Sequence, residues 1–398
     1  MKNSNFFFKC LSVLFLTLTV FTLDSYSQEL TNFNKVKTLE ELRIINDVKK
    51  YFDLKPLTIT SQGCNRSAGT KNDFYSEGDY WWPDDKNPEG PYVRKDGLTN
   101  PDNFVAHREL MIRLSQISGA LTSAYLVTKD DKYILKLFPH LNAWFIDAST
   151  KMNPHLLYGQ AIKGIETGRG IGIIDTVHLI EVALAIEVVE DSKLMNIEDL
   201  NKIKVWFSQY LNWLTSHPYG KQERDNGNNH STCWAMQVAA FARLVNNQEQ
   251  IQFCKNMFKT DLLPNQMAQD GSFPKELART KPYGYSLFNL DAMAALAQML
   301  SDGDENLFQF TTSDGKNLKI GIEFLYKFVR NKSLWPYPED VMYWNDWPTK
   351  HPFLLFGGLK LKNKKYIKTW KQLSEIPDKA EILRNMPVRY PLLWVYRT

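Results

Sequence analysis

Gln269-Asp270-Gly271-Ser272-Phe273 lies between two stretches that read as helix, 248–259 and 284–300. Asp followed by Gly and Ser marks a turn, and Gly supplies the left-handed bend that a residue with a Cβ resists. Outward from this turn, the same alternation of apolar-striped helix and breaker covers most of the chain. Leu110, Leu114, Ile117 and Leu121 recur at spacings of three and four after Phe104, and 133–146 is a second candidate. Ile173 to Val189 is a third, with Ile173, Val177, Ile180 and Leu184 on one stripe and Asp175 and His178 off it. Further candidates are 39–52, 197–216, 230–245, 316–330 and 364–374, and His217-Pro218-Tyr219-Gly220 and Ser301-Asp302-Gly303 read as breakers. Strand-like alternation is scarce. The chain is expected to be all-α.

No fixed repeat period is visible, which argues against a regular solenoid. The 269–273 turn resembles those that join helices in (α/α) toroids. The expected fold is an (α/α) toroid, an incomplete barrel of roughly six to seven helix pairs, formed by 28–398 as a single domain. Residues 57–103 stand apart, because Gly, Pro, Asn and Asp interrupt any period there. Irregular runs of this length are usually functional, and this one is expected to line one end of the molecule.

Residues 1–27 read as a signal peptide. Lys2 and Lys9 give a basic start, Leu11 to Leu23 is apolar, and Ser25-Tyr26-Ser27 offers small residues for cleavage. The expected location is periplasmic or secreted, with no membrane attachment after cleavage, and a monomer is expected. The whole chain carries a formal net charge of +4, and removing 1–27 leaves +3. That is weak for a nucleic-acid binder, and no Lys/Arg block stands out. Cys64, Cys233 and Cys254 remain after cleavage, enough for at most one disulfide and without metal-ligand spacing. No metal-binding motif is present and no cofactor is expected. Aromatic residues make up 13% of the chain, with 11 Trp, which suits sugar stacking and a large aromatic core equally.

Two stretches carry candidate chemistry. Asn228-Asn229-His230-Ser231 opens an apolar helix, where free N–H groups and the helix dipole favour an anion; a plain helix cap reads as well. Glu276-Leu277-Ala278-Arg279 and Pro282-Tyr283-Gly284-Tyr285 form an irregular approach to the next helix, equally readable as an ordinary surface loop. Together they hold what β-elimination on a uronate needs. Donors must neutralise the carboxylate as charge develops, and a proton must leave C5 while another reaches the glycosidic oxygen.

Asn228-Asn229-His230-Ser231, Glu276-Leu277-Ala278-Arg279 and Tyr285 resemble the active-site signature of the alginate lyase superfamily of polysaccharide lyases. With Tyr75-Ser76-Glu77-Gly78-Asp79-Tyr80-Trp81-Trp82-Pro83, the order of motifs is most similar to polysaccharide lyase family 38, and more distantly to family 5. The likeness runs over residues 60–350 and is densest at 65–110 and 226–291. It implies that Asn229 and His230 neutralise the substrate carboxylate, and that Arg279 assists and holds down the tyrosine pKa. Tyr285 would be the catalytic phenol. On mannuronate, where proton and leaving group share a face, Tyr285 would be both base and acid; on guluronate, His230 would be the base. Family 5 has an aromatic soon after His-Ser, whereas Thr232-Cys233 precede Trp234 here, a departure that bears on subsite shape. The implied substrate is an acidic polysaccharide: alginate, poly-mannuronate above all, or glucuronan.

Tyr80, Trp81 and Trp82 are candidates to stack on sugar, or form a hydrophobic plug under the long loop. Arg169 and His178 are candidates to line the cleft, and Tyr283 is a further subsite candidate. His107-Arg108, by default, reads as packing. Two rival functions remain: a toroidal glycoside hydrolase using carboxylates from Asp79, Asp175 or Glu276, and a non-catalytic periplasmic glycan-binding protein.

Overall fold

The computed structural model describes residues 32–375 and 379–397. The expected signal peptide, 1–27, lies outside the described residues. Helix α1 (32–47) leads into a loop-rich run holding strands β1 (Tyr75–Glu77), β2 (Trp81–Trp82) and β3 (Val93–Arg94). Helices α2 (Ala106–Thr128) and α3 (Lys132–Phe145) follow, then β4 (Tyr158–Ala161) and a 3-10 segment, Gly170–Thr176. Next come α4 (Leu179–Ser192), α5 (Ile197–Ser216), α6 (Pro218–Arg224), α7 (Asn229–Leu244) and α8 (Gln248–Met257). Short α9 (Leu263–Gln266) and α10 (Pro274–Leu277) precede α11 (Pro282–Leu300) and α12 (Leu318–Arg330). The chain ends with α13 (Pro352–Lys360), α14 (Lys364–Gln372), α15 (Ala380–Arg384) and α16 (Pro391–Trp394).

The helices form two concentric layers, an (α/α) toroid. Inner helices α2, α4, α7, α11 and α13 contact one another in succession. Outside them, α3 packs on α2, α5 and α8 on α7, α12 on α11 and α13, and α14 on α13. Sequence dictates the layer. Every residue of α11 is buried, as a helix apolar on all sides requires. Helix α12 buries Leu318, Ile322, Leu325 and Val329 while Lys319, Glu323, Lys327 and Arg330 face out. At the far end, α15 packs on α2, and α16 packs on α2, α4 and α11. Glu181 of α4 secures that end, accepting from the Arg389 and Tyr390 amides at 2.7 Å each and from Trp394 Nε1 at 3.1 Å.

The 57–103 region packs over one end through two small sheets. Strand β1 pairs in parallel with β4, Tyr75 opposite Tyr158, and β2 pairs antiparallel with β3, Trp81 opposite Arg94.

Three local expectations change. His217-Pro218-Tyr219-Gly220 starts α6 instead of breaking the chain: His217 Nδ1 caps it by accepting the Tyr219 amide at 3.1 Å. Pro218 fits the first helical position, where its missing N–H costs nothing. The 173–189 candidate divides into the 3-10 segment and α4, and both Asp175 and His178 are buried there. Phe353-Leu354-Leu355-Phe356-Gly357-Gly358 lies outside every expected helix, yet it forms part of inner helix α13. Gly357 lets α13 approach Ile322 of α12, whose Cδ1 would lie 2.7 Å from an added Cβ. Cys64, Cys233 and Cys254 are all free thiols. No helix among the described residues is long and apolar enough to cross a membrane.

Gly271 has φ +88°, and an added Cβ would meet the Ile320 carbonyl oxygen of α12 at 2.5 Å. Gly271→Ala is expected to cost about 1–3 kcal/mol of stability, read as a lowered urea midpoint with unchanged slope.

Candidate active site

The start of α7 divides its duties between two asparagines. Asn228 caps the helix, its Oδ1 accepting the His230 amide at 3.0 Å. Asn229 is thereby released from capping, and it donates its backbone N–H (2.8 Å) and Nδ2 (2.7 Å) to Glu276 of α10. Glu276 is 1% exposed, and burial raises its pKa against the pull of Asn229, Arg279 and His230. His230 Nδ1 lies 2.8 Å from Oε1 of buried Glu223 on α6. Burial pushes the Glu223 carboxyl up while His230 pulls it down. In the tautomer whose Nδ1 carries the proton, His230 donates to this carboxylate and the other ring nitrogen is the acceptor.

The second half gathers around Tyr285 in the first turns of α11. Its hydroxyl donates to the Tyr80 hydroxyl at 2.8 Å. Three cations surround the two rings. The Arg279 guanidinium sits 4.6 Å over the Tyr285 ring, with Nη2 3.5 Å from its hydroxyl. Lys281 lies 4.9 Å from the Tyr80 ring and 5.3 Å from that of Tyr285, ion-paired with buried Glu381. Arg384 donates to the Tyr80 hydroxyl at 3.2 Å and pairs with Asp79 at 2.7 Å.

Arg279 was expected to hold the Tyr285 pKa down. The balance goes the other way: burial first and Tyr80 second push it well above its ordinary value, with Arg279 and Arg384 opposing. Arg279 shares its charge with Asp96, donating to the two carboxylate oxygens at 2.9 and 3.2 Å. Burial notwithstanding, Arg279 and Arg94 keep the Asp96 carboxyl well below the usual carboxylate range.

Asn229 is bonded to Glu276, His230 to Glu223, and Arg279 contacts Tyr285, while the charges of both Arg279 and His230 act on the Glu276 carboxyl. Tyr80, placed beforehand among the sugar-stacking aromatics, is the hydrogen-bond partner of Tyr285. Trp81 and Trp82 are partly exposed, with the Arg169 guanidinium 5.8 Å over Trp81 and Lys95 5.4 Å over Trp82. Arg169 donates only to neutral groups, the Gln160 carbonyl (2.8 Å) and Oε1 (3.1 Å).

Two expected sugar contacts stand elsewhere. Tyr283 is 0% exposed, wedged against Trp335 and Trp344. His178 is 1% exposed and accepts from Arg389 at 3.0 Å, because α4 turns it into the core. The carboxylates of the hydrolase reading are all engaged. Asp79 is clamped by Arg108 and Arg384, Asp175 by Arg108, Ser76 and Gln160, and Glu276 by Asn229. No acid and base stand free across a cleft there. Among the described residues no group of three or more His, Cys, Asp or Glu is placed to hold a metal ion.

Sequence reasoning missed Glu223, Asp96, Lys281 and Arg384. Lys281 lies between the two quoted motifs, 276–279 and 282–285; Arg384 sits in a stretch whose only signal is a short charged helix.

An all-helical toroid whose end carries this imidazole, guanidinium and phenol set is that of a polysaccharide lyase. A family model described as alginate lyase matches residues 58–335. The chain belongs to the alginate lyase family. Among solved structures, an alginate lyase from Bacteroides ovatus is 30% identical, with TM-score 0.78 over 92% of this chain and 97% of that one. Alginate lyase A1-III from Sphingomonas species A1 is 14% identical, with TM-score 0.52 over 82% of this chain and 88% of that one. A variant of A1-III complexed with a tetrasaccharide is 15% identical, with TM-score 0.54 over 81% and 84% of the two chains; at these identities the likeness shows the fold. No curated protein matches.

Glu276→Ala would leave two buried Asn229 donors without an acceptor. It is expected to destabilise the protein by about 2–4 kcal/mol, measured by urea unfolding, because orphaned buried donors keep their full desolvation cost.

Proposed function

We propose that the chain is an exported alginate lyase, released from residues 1–27, that cleaves poly-mannuronate by β-elimination. Elimination removes the C5 proton, breaks the bond from C4 to the glycosidic oxygen, forms the C4–C5 double bond and returns a proton to the departing oxygen. Asn229, His230 and Arg279 neutralise the uronate carboxylate as charge develops, and Tyr285 carries the proton.

The observation that carries this reading is the pair of hydroxyls 2.8 Å apart, Tyr285 and Tyr80, with Arg279 against the first and Arg384 against the second. Proton-transfer groups concentrated on one side suit a uronate whose C5 proton and leaving oxygen share a face, as in mannuronate. A second reading is favoured by one contact: Glu223 on His230 Nδ1 leaves the other ring nitrogen as a ready base, which suits guluronate.

Two measurements separate these. Poly-mannuronate, poly-guluronate and glucuronan are each incubated with the mature protein, and the ultraviolet absorbance of unsaturated uronate is followed. Tyr285→Phe should lower kcat by about 10²–10⁴-fold with KM little changed; unaltered kcat would falsify the role. His230→Ala should lose both turnover and affinity, so near-normal kinetics would remove it from the carboxylate.

The pH profile gives the second test. The folded Tyr285 pKa lies above its ordinary value, so its base form is scarce at neutral pH. If Tyr285 is the base, kcat/KM on poly-mannuronate climbs by about tenfold per pH unit from neutrality into the alkaline range. A profile flat above neutrality would assign the base to His230.

A further inference from the structure

The family match ends at residue 335, and a feature of the site lies 49 residues further on. Helix α15 carries Glu381 and Arg384 on one face. Glu381 holds Lys281, the cation beneath the Tyr80 and Tyr285 rings. The Arg384 fork reaches two adjacent residues of the 57–103 region at once: Nη1 lies 2.7 Å from Asp79 Oδ2, and Nη2 lies 3.2 Å from the Tyr80 hydroxyl. Asp79 is itself fixed from the inner layer, its two oxygens bonded to Arg108 of α2 at 2.6 and 2.9 Å.

The Asp79 contact is an ion pair without hydrogen-bond geometry at Nη1, but with Nε 3.5 Å from Glu381 it restrains the guanidinium, whose Nη2 bond then helps set where the neighbouring phenol oxygen sits. That oxygen is the acceptor for Tyr285.

We propose that Arg384 is a positioning residue of the lyase site: it bridges Asp79 and the Tyr80 hydroxyl and so sets the Tyr80–Tyr285 hydrogen bond. The inference rests on Tyr285 being the proton carrier. Its consequence is that the C-terminal segment, which packs on α2, α4 and α11, also belongs to the catalytic end. The charges at this phenol pair are Arg279 with Asp96, Lys281 with Glu381 and Arg384 with Asp79, and the Tyr343 ring lies 5.4 Å from Lys281. Only Arg384 among them contacts Tyr80 through its hydroxyl.

The test uses the full mature chain with ring-labelled tyrosine, the two resonances assigned by their loss in Tyr80→Phe and Tyr285→Phe. Arg384→Lys keeps a charge for Asp79 but cannot hold both partners, and Arg384→Gln removes the charge. Both are expected to shift the Tyr80 and Tyr285 resonances and to lower kcat by about tenfold to a hundredfold with KM little changed, the lysine variant less than the glutamine. In a Tyr80→Phe background, Arg384→Lys should lower kcat no further, since coupled residues are not additive. Unmoved resonances with normal kcat in a folded variant would overturn the proposal, as would a loss that adds in full to that of Tyr80→Phe. If neither arginine variant folds, the Arg384 guanidinium resonance is read in Tyr80→Phe instead; a signal identical to wild type overturns the contact. Should the wild type cleave no uronate, the proposed function fails while the resonances still report on Arg384 and Tyr80.

Discussion

Arg108 projects from inner helix α2 between two carboxylates, Asp79 of the irregular 57–103 region and Asp175 of the 3-10 segment. All three side chains are almost closed to solvent. Charges taken out of water are costly, and such a group adds little net stability over a well-packed apolar one. Its effect is to forbid alternatives, because removing one partner strands a buried charge at a cost of about 3–5 kcal/mol. Asp175 also receives Ser76 at 2.6 Å and Gln160 at 3.1 Å, which fastens the β1–β4 pair. One guanidinium thus fixes the irregular layer to the helical ring, and Tyr80 stands one residue beyond the clamp.

The rest of the site follows from how the ring is built. Inner helices packed on every side leave little surface open to substrate along their length, so reactive groups gather at helix starts and on the loops above them. Helix starts also carry unsatisfied N–H groups. At α7 these are met by Asn228 and Glu276, and at α11 by Asp340, which accepts the Tyr283 and Gly284 amides at 2.9 Å each. Burial raises the Asp340 carboxyl to about 6 even against those amides. The same acceptors that finish the helices therefore aim Asn229 and Tyr285.

The helical class and the longer helices were legible in the sequence because their apolar spacing survives without context: 197–216 is observed with the same limits as read. Asn229, His230, Arg279 and Tyr285 came together as a candidate set only through family resemblance; spacing alone left a helix cap and a surface loop open. What escaped was whatever depends on a distant partner. Arg108 read as packing because its carboxylates are 29 and 67 residues away in sequence. Glu223 lay past a supposed breaker that proved to be α6. The sign of the Tyr285 shift escaped for a like reason: Arg279 was visible, while burial and the Tyr80 hydroxyl were not.

That last point bears on how the site meets a polyanion. Each cation around the phenols already has its own carboxylate: Arg279 has Asp96, Lys281 has Glu381, and Arg384 has Asp79. A uronate arriving there adds negative charge to a balanced group, so it gains most from donors that hold no carboxylate or hold one loosely. Arg169 is of the first kind, its hydrogen bonds among the described residues going to Gln160, beside the partly exposed Trp81. The Arg279–Asp96 pair is of the second, with about a quarter of each side chain exposed, whereas Lys281 and Glu381 are each only 4% exposed. A partly hydrated pair exchanges partners at far lower cost than a buried one. Partner exchange therefore costs least at the Arg279–Asp96 pair and most at the buried Lys281–Glu381 pair.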